Sequence, residues 1–347
     1  MIVINGRFLS QRITGIQRFA YEICCALRQI GVEFVILSPA NIDKDYDLSG
    51  LSVERIGGRG SHYWEQVTLL RYMKRHYNGH ILLCLSGLSP LLYRRSILTI
   101  HDISYLLRPR SYSLPYCLYY QFMTPLAAKR AEMILTVSEF SKSELVKYLH
   151  LQADNITVVY NAVRPSPMPP RKPSKRYLLS VASLVPRKNL KSLLDAYCGL
   201  ENPDFELYFA GGSLGNYANP ELASYIGQQG VYFLGYVADE ELNNLYRNAI
   251  AYINPSLYEG FGTPNVESMM MECPLVVSAI PAFQEVCGDA ALYFDPMNIA
   301  DIQDKMNRIA HDETLRKQLI ANGNEQLKKY GWEKSAAVIK EILESHE

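Results

Sequence analysis

The sequence predicts two α/β domains, each with a parallel β-sheet covered by helices. At 347 residues, the chain exceeds the roughly 250 to 300 residues at which a single hydrophobic core stops growing. Short apolar runs bounded by turn residues alternate with longer stretches of helical period, which is typical of parallel sheets. A segment with five prolines between residues 164 and 173 separates two stretches of this kind.

In the first half, short apolar runs predict six strands: Ile2–Ile4, Val32–Leu37, Ile81–Leu85, Ile97–Ile100, Met133–Val137 and Ile156–Val159. Stretches of helical period predict helices over 16–30, 63–77, 113–130 and 139–149. In the second half, the same criteria predict strands over 177–182, 205–210, 231–234, 250–253 and 275–278. They also predict helices over 189–199, 239–247, 265–272 and 299–329.

These elements predict the domain boundaries. We expect an N-terminal domain over residues 1–164, a proline-rich linker over 165–176 and a C-terminal domain over 177–331. The tail from Trp332 to Ser345 has apolar residues at amphipathic helical spacing, so a helix over 332–347 is expected to pack back on the first domain. Ligands of such sheets bind beyond the carboxyl ends of the strands, so chemistry is expected in loops facing a central cleft.

Composition and charge narrow the function classes. With 48% hydrophobic and 20% charged residues, the chain is expected to be a soluble globular protein. A net charge of zero argues against a general nucleic-acid binder. However, 19 basic and 12 acidic residues lie up to residue 170, against 16 and 23 after it. The basic half therefore faces an anionic partner or surface, or else the two halves have solvated faces of opposite sign.

Cysteine usage and hydropathy predict the compartment. Seven cysteines without a C-x-x-C pair, most of them in apolar runs, indicate reduced core residues of a cytoplasmic protein. The start of the chain lacks the features of a signal peptide, and no apolar run approaches the roughly 20 residues that span a bilayer. We therefore expect a cytoplasmic protein whose membrane contact, if it has any, is peripheral.

The segment Tyr258–Glu267 contains more candidate site residues than any other short segment, and it follows the predicted strand 250–253. Its two glycines allow a ligand to approach the backbone, and Pro264 suits the first position of a helix. Amides at a helix N-terminus favour an anion such as phosphate. Glu259 and Glu267 could bracket one ligand and accept hydrogen bonds from its hydroxyls. Alternatively, Glu267 complements the helix dipole and Glu259 is a solvated loop residue.

Three further loops carry polar residues after predicted strands. Arg187 and Lys188 follow the strand 177–182 and would suit a diphosphate, although such a pair is often plain surface charge. His101 follows the strand Ile97–Ile100 and is either a cleft residue or a structural histidine. Thr14 and Gly15 precede the helix 16–30, where Thr14 could cap the helix and Gly15 allow close approach of a ligand, or where they form a simple turn.

The spacing Glu259-x7-Glu267 around Gly260–Pro264 resembles the E-x7-E signature of glycosyltransferase family 4, which comprises retaining nucleotide-sugar enzymes. Five other segments match this family in the same order along nearly the whole chain: Thr14–Phe19, Ile100–Ser104, Thr136–Ser141, Pro186–Leu190 and Phe233–Val237. The resemblance implies the GT-B fold, in which two Rossmann-like domains face a cleft. It also implies an acceptor side in the first domain and nucleotide-sugar binding in the second.

The family resemblance assigns a role to each candidate residue. Arg187 and Lys188 would bind the donor diphosphate, Glu259 the hydroxyls of the transferred sugar and Glu267 those of the ribose. The amides of Phe261, Gly262 and Thr263 would bind phosphate, and Gly211, Gly212, Tyr236 and Val237 would border the base. His101 would lie against the donor sugar, with Asp102 orienting its loop, and Gly15 would lie in the phosphate and acceptor loop. A further phosphate-binding arginine that some members have is Ser183 here, which either leaves a greater share to Arg187 and Lys188 or indicates a shift in donor placement.

The resemblance therefore predicts a transferase that moves a hexose from a nucleoside diphosphate sugar to a glycan or lipid-linked glycan in surface polysaccharide synthesis. Mannosyl or rhamnosyl transfer, as in O-antigen synthesis, is the favoured case. The alternatives are another nucleotide-sugar enzyme on this scaffold, such as an epimerase, and a non-catalytic sugar-nucleotide-binding subunit. Metal-independent action is expected, without a cofactor, since no His or Cys residues fall at ligand spacing.

The stretch 108–122 combines aromatic and basic residues in the electropositive half. Arg108 and Arg110 precede Tyr116, Tyr119 and Tyr120, whose spacing is helical. This surface could meet an anionic lipid headgroup or stack on acceptor sugars. Alternatively, it is an aromatic helix packed in the core.

Overall fold

The computed structural model describes residues 1–172, 175–212 and 220–346. Pro173 and Ser174 of the expected linker and Glu347 of the expected terminal helix lie outside the described residues. The chain divides into two compact units. Unit 1 contains Met1–Leu107, Ser113–Ala162 and the chain from Tyr330 onward, and unit 2 contains Arg108–Tyr112 and Val163–Lys329, apart from the residues not described.

Unit 1 is organised around a parallel sheet of seven strands in the order β3-β2-β1-β4-β5-β6-β7. The strands are β1 (Ile2–Asn5), β2 (Phe34–Ser38), β3 (Val53–Arg55), β4 (Ile81–Cys84), β5 (Ser96–Thr99), β6 (Met133–Thr136) and β7 (Ile156–Val158). Strands β1, β4 and β5 are buried along their whole length, because helices cover both faces of a parallel sheet. The sequence does not predict β3, in which only Val53 is apolar.

The helices of unit 1 are α1 (Gly15–Gln29), α2 (Leu70–His76), α3 (Ser104–Leu107), α4 (Leu114–Ala128), α5 (Glu139–Leu149) and α12 (Trp332–His346). A π-helical turn over Trp64–Leu69 precedes α2, whereas the sequence predicts one helix over 63–77. Helix α12 packs on α1, where the rings of Phe19 and Trp332 meet edge to face at 5.9 Å. The Ser335 hydroxyl also donates to the carbonyl of Tyr160.

Unit 2 contains a parallel sheet of six strands in the order β10-β9-β8-β11-β12-β13. The strands are β8 (Tyr177–Val181), β9 (Glu206–Ala210), β10 (Val231–Gly235), β11 (Ala251–Asn254), β12 (Leu275–Ser278) and β13 (Ala291–Phe294). Strand β13 is not among the predicted strands, although all four of its residues are apolar. The two parallel sheets confirm the predicted α/β fold class.

The helices of unit 2 are α6 (Leu190–Cys198), α7 (Asp239–Asn248), α8 (Thr263–Met270), α9 (Pro281–Cys287), α10 (Ile299–His311) and α11 (Glu313–Leu327). The prediction of one helix over 299–329 is wrong, because Asp312 leaves the helical conformation with φ −101° and ψ 90°. Its carboxylate accepts a hydrogen bond from the amide of Leu315 and so caps α11 as a new helix.

The short segment Arg108–Tyr112 groups with unit 2, although the chain on either side of it belongs to unit 1. The Ser111 hydroxyl accepts a hydrogen bond from the amide of Arg187 at 3.1 Å. The sequence does not predict that this segment belongs to unit 2, because no pattern within residues 108–112 indicates a contact with Arg187.

All seven cysteines lie in the described part of the chain, and none of them forms a disulfide there. Five are buried and Cys25 is half-buried, whereas Cys198 is exposed, so the prediction of core cysteines is wrong for Cys198. Among the helices of residues 1–172, 175–212 and 220–346, none combines the length and the apolar character that crossing a bilayer requires.

Candidate active site

The strand order of unit 2 brings the main predicted residues to one edge of its sheet. Strands β8 and β11 are neighbours at the point where the order reverses, since β9 and β10 follow on one side and β12 and β13 on the other. A crevice forms beyond the carboxyl ends of the strands at such a switch point. Arg187 and Lys188 follow β8, and Glu259 follows β11.

The cationic pair lies on a 3-10 turn, Pro186–Lys188, which leads into α6. The turn ends at Asn189, which is left-handed with φ 53° and whose side-chain amide donates to the carbonyl of Pro296 at 2.8 Å. The Arg187 carbonyl accepts from the amide of Leu257 at 2.8 Å, so the loop after β11 lies directly beside the turn. These hydrogen bonds therefore fix the backbone positions from which the side chains of Arg187 and Lys188 extend.

Glu259 joins the two cations. Its Oε1 lies 3.1 Å from Nη1 of Arg187 and forms an ion pair with Nζ of Lys188. The three side chains are 11 to 17% exposed, so water screens their charges weakly. Burial alone would raise the pKa of Glu259, but the charges of Lys188 and Arg187 outweigh it and hold the pKa below its usual value. The alternative of a solvated Glu259 is therefore wrong.

A chain of buried polar side chains supports Glu259 from below. The Ser256 hydroxyl lies 3.2 Å from Oε1 of Glu259 and 2.7 Å from Oδ1 of Asn254. The Asn254 amide donates in turn to Oδ1 of Asn265 at 3.0 Å. This chain connects the end of β11 to the first turn of α8. Sequence reasoning missed Ser256, Asn254 and Asn265, although all three lie within or beside the E-x7-E segment.

The turn before α8 requires glycine at Gly262, which has φ 90°. A Cβ atom there would lie 2.6 Å from Cε1 of Phe283. Helix α8 begins at Thr263, two residues before the predicted start, with Pro264 in its first turn. Phe261 is buried and Thr263 is half-buried. Phosphate binding by the amides of Phe261, Gly262 and Thr263 stays a prediction.

Glu267 lies one turn inside α8 and is half-buried. Its Oε2 accepts a hydrogen bond from the hydroxyl of Tyr246 at 3.2 Å. The Tyr246 ring is fully buried and packs edge to face against Tyr252 at 5.4 Å. Burial and the charge of Glu267 raise the pKa of Tyr246, which therefore stays protonated and can act as this donor. The sequence contains no signal for Tyr246 as a partner of Glu267.

The predicted nucleobase residues cluster at the ends of β9 and β10. The Gly211 amide donates to the carbonyl of Gly235 at 2.7 Å. Gly211 and Gly212 have φ of 92° and 69°, and a Cβ on Gly212 would lie 2.8 Å from Cγ of Leu184. Tyr236 is exposed and Val237 is half-buried. Both glycines are therefore needed for the turn itself, and base recognition stays a prediction.

In unit 1, His101 lies at the end of β5 and is largely buried. Its Nε2 lies 3.0 Å from the carbonyl oxygen of Leu85, and because a carbonyl only accepts, Nε2 has the proton. Burial lowers the pKa of His101, so the ring is neutral at pH 7 and Nδ1 is an acceptor. The His101 carbonyl accepts from the Ser141 hydroxyl at 3.1 Å. Asp102 accepts from the amide of Ser104 and so shapes the loop.

Gly15 is the first residue of α1 and lies on the surface, where a Cβ atom would meet no neighbour within 4 Å. The expectation that Thr14 caps this helix is wrong. The Thr14 side chain makes no capping hydrogen bond and instead contacts the amide oxygen of Gln17. A role for Gly15 in ligand approach stays a prediction.

Sequence reasoning also missed a buried ion pair at the carboxyl end of β1. Arg7 Nη1 lies 2.9 Å from Oε2 of Glu65, which is fully buried in the π-helical turn. The side chain of Asn5 donates to Oε1 at 2.9 Å. The His62 ring packs on Tyr119 at 4.1 Å, and burial together with the charge of Arg7 lowers the pKa of His62 to about 4. The partners are too far apart in sequence for any local pattern to reveal them.

The structure thus brings Arg187, Lys188 and Glu259 into contact in unit 2. Glu267 lies in the neighbouring helix α8, and the glycine turns lie at the same edge of the sheet. His101 and Gly15 follow strands of unit 1. In the part of the chain that the structure describes, no group of three or more His, Cys, Asp or Glu residues is arranged to hold a metal ion.

Two family models match the chain in succession. Residues 13–166 match the model described as Glycosyltransferase Family 4, and residues 167–326 match Glycosyl transferases group 1. O-antigen chain mannosyltransferase B of Escherichia coli is 32% identical over 259 residues, which are 69% of this chain and 67% of that protein. O-antigen chain mannosyltransferase RfbU of Salmonella typhimurium is 28% identical over 92% of this chain and 98% of its own length.

Solved structures share the fold across nearly the whole chain. Sucrose-phosphate synthase from Thermosynechococcus elongatus superposes with a TM-score of 0.78 at 15% identity, covering 99% of this chain and 98% of its own. Anabaena HepE in complex with UDP and glucose has a TM-score of 0.77 at 17% identity, covering 99% of both chains. At these identities the likeness concerns the fold alone.

Proposed function

Because the chain belongs to glycosyltransferase family 4, we propose that it is a retaining hexosyltransferase that uses a nucleoside diphosphate sugar as donor. The acceptor is a hydroxyl of a glycan or lipid-linked glycan in surface polysaccharide synthesis. That the chain is a glycosyltransferase with the GT-B fold follows from its family. The observation that supports this donor most is the contact of Arg187 and Lys188 with one carboxylate at the switch point of the unit 2 sheet. Mannosyltransferase relatives do not favour an epimerase or a non-catalytic subunit.

The cationic residues and the glutamates bind different parts of the donor. Arg187 and Lys188 bind the diphosphate and neutralise the negative charge that grows on it as the bond to the sugar breaks. Glu259 accepts hydrogen bonds from hydroxyls of the transferred sugar, and Glu267, held by Tyr246, accepts those of the ribose. The amides at the start of α8 bind phosphate oxygens. The turns at Gly211–Gly212 and Tyr236–Val237 border the base.

Two features of unit 1 support further assignments. The neutral ring of His101 offers Nδ1 as an acceptor for a sugar hydroxyl, since Nε2 is held by the carbonyl of Leu85. The exposed turn at Gly15 leaves space for a ligand to approach the backbone at the start of α1.

The transfer we propose occurs on one face of the sugar. The departing diphosphate takes the proton of the acceptor hydroxyl while that hydroxyl attacks the anomeric carbon, so the configuration is retained without an enzyme nucleophile. Arg187 and Lys188 provide the charge neutralisation that Mg²⁺ provides in other transferases. The proposal therefore requires neither a metal nor another cofactor.

We expect GDP to raise the melting temperature of the protein more than UDP, dTDP or ADP does at equal concentration. The two O-antigen relatives are mannosyltransferases by name, and we propose a guanosine diphosphate mannose as the donor of this site. A ligand that binds only the folded state stabilises it by mass action. A thermal-shift screen of the four nucleotides measures this, with AMP as the control that lacks a diphosphate. A chain that is stabilised neither by any of the four nucleotides nor by their hexose conjugates would contradict a nucleoside diphosphate donor.

Peripheral contact with a membrane is the second part of the proposal. Helix α4 contains no charged residue, and its exposed face has Leu114, Leu118 and Phe122 at i, i+4 and i+8. Lys129 and Arg130 follow at its end and are exposed. An apolar helix face beside basic residues suits an anionic lipid surface, where a lipid-linked acceptor is presented. Of the three tyrosines on which the alternative of a core-packed aromatic helix rests, Tyr116 is exposed, whereas Tyr119 and Tyr120 are half-buried.

We expect the double variant Leu118→Glu/Phe122→Glu to lose binding to vesicles that contain anionic lipid, because the charges oppose insertion of the helix face. Cosedimentation with vesicles of phosphatidylglycerol and phosphatidylethanolamine measures the loss. Ile226→Glu, at an exposed apolar residue of unit 2, should leave binding unchanged. Equal sedimentation of all three proteins would remove α4 as the contact.

A further inference from the structure

We propose that Glu259 makes the donor site select the intact nucleoside diphosphate sugar over the free nucleoside diphosphate, because Glu259 competes for Arg187 and Lys188 whenever no sugar occupies it. The inference rests on the proposed function and adds a specificity role to one residue of that site. Its consequence is weak binding of the diphosphate product, which speeds product release and limits inhibition by the product.

The first step is the charge of the residues that form the site. Arg187 and Lys188 bring two positive charges, and Glu259 neutralises one of them through Oε1. The same oxygen lies 3.2 Å from the hydroxyl of Ser256. The cations are therefore already engaged before a ligand arrives. A diphosphate must share or displace these contacts in surroundings where water screens charge weakly.

The second step is that Glu259 stays beside the cations. The Ser256–Asn254–Asn265 chain is buried and holds the carboxylate from below. The hydrogen bond from the Leu257 amide to the Arg187 carbonyl ties the two loops together. Because the carboxylate is held in place, it remains close to a diphosphate bound to Arg187 and Lys188. Two anions at this distance repel each other when no donor group lies between them.

The third step is what the sugar changes. A carboxylate only accepts hydrogen bonds, and the hydroxyls of a hexose donate them. When the donor binds, its diphosphate takes over the contacts that Arg187 and Lys188 make to Glu259. The hydroxyls of the sugar then donate hydrogen bonds to the two carboxylate oxygens and replace the lost contacts. The free nucleoside diphosphate has no such groups at this position. Glu259 therefore weakens binding of the free nucleoside diphosphate more than binding of the nucleotide sugar.

Glu259→Gln tests this role, because it removes the charge and keeps the size of the side chain. The probes are the nucleoside diphosphate that stabilises the wild type best and its hexose conjugate, measured by calorimetric titration. We expect the variant to bind the diphosphate about ten- to a hundredfold more tightly, while its affinity for the conjugate rises less or falls. The control is Glu272→Gln, whose carboxylate pairs with Arg247 in the same unit and should not change either affinity.

A measurement on the wild type keeps the inference falsifiable if the variant does not fold. A free hexose at high concentration should tighten binding of the nucleoside diphosphate, because its hydroxyls occupy Glu259. Absence of this coupling, or equal or weaker diphosphate binding by folded Glu259→Gln, overturns the inference and leaves the proposed function standing. A wild type that binds neither the nucleoside diphosphates nor their hexose conjugates contradicts the proposed function instead.

Discussion

Replacing Lys188 with alanine is expected to lower kcat/KM for the nucleotide sugar about 10²- to 10³-fold, with most of the loss in kcat. The Lys188 side chain is 12% exposed and lies in the turn after β8, next to Arg187. Negative charge grows on the leaving diphosphate as the sugar bond breaks, so this cation stabilises the transition state more than the bound donor. Initial rates at varied donor concentration measure the loss.

Lys191→Ala is the matched control for Lys188→Ala. Lys191 is half-exposed on α6, three residues further along, and pairs with Asp195. A surface ion pair of this kind contributes little to stability, and the proposed site does not include it. We expect activity within about twofold of the wild type. Equal activity of both lysine variants would contradict the assignment of the cationic pair.

Replacing Glu65 with alanine is expected to destabilise unit 1 by about 3 to 5 kcal/mol, because Arg7 is left as a buried charge without its carboxylate. In a unit of this size, that corresponds to a melting temperature lower by roughly 10 °C. Scanning calorimetry measures the shift. The loss concerns folding, so donor binding by the remaining folded protein should persist.

The double variant Arg7→Met/Glu65→Leu shows whether Glu65→Ala lowers the melting temperature through the unpaired charge of Arg7 or through lost packing. Apolar side chains of similar volume often replace a buried ion pair without loss of stability. We therefore expect the double variant to recover most of the melting temperature that Glu65→Ala loses. A double variant as unstable as the single one would contradict the ion-pair explanation and indicate a packing defect.

The sequence predicts those parts of the fold that leave a local pattern. Buried strands such as Ile81–Cys84 are apolar along their whole length, and α1 keeps its helical period to the end. The cationic pair and Glu259 lie in the loops after two strands, β8 and β11, and the E-x7-E spacing is recognised through its resemblance to the family. The two sheets bear out the α/β prediction, although the individual roles of the site residues stay predictions.

What the sequence does not predict depends on contacts between distant residues. Glu65 is recognisable as a buried ion only through Arg7, and Glu267 is held by Tyr246 from another helix. Asp312 ends α10 and caps α11. The helical spacing of apolar residues over 299–329 does not indicate this break between the two helices. Ser111 reaches the amide of Arg187 across 76 positions of the chain. Tertiary contacts, rather than local propensity, decide these features.

The central claim is tested most directly by the anomeric configuration of the product. The protein is incubated with an α-linked nucleoside diphosphate hexose labelled with carbon-13 and with a glycan acceptor, and the carbon–proton coupling at C1 of the new glycoside is read by NMR. The account predicts an α-linked product that forms with the wild type and is strongly reduced with Lys188→Ala. A β-linked product, or hydrolysis and epimerisation of the donor without a new glycoside, would contradict it.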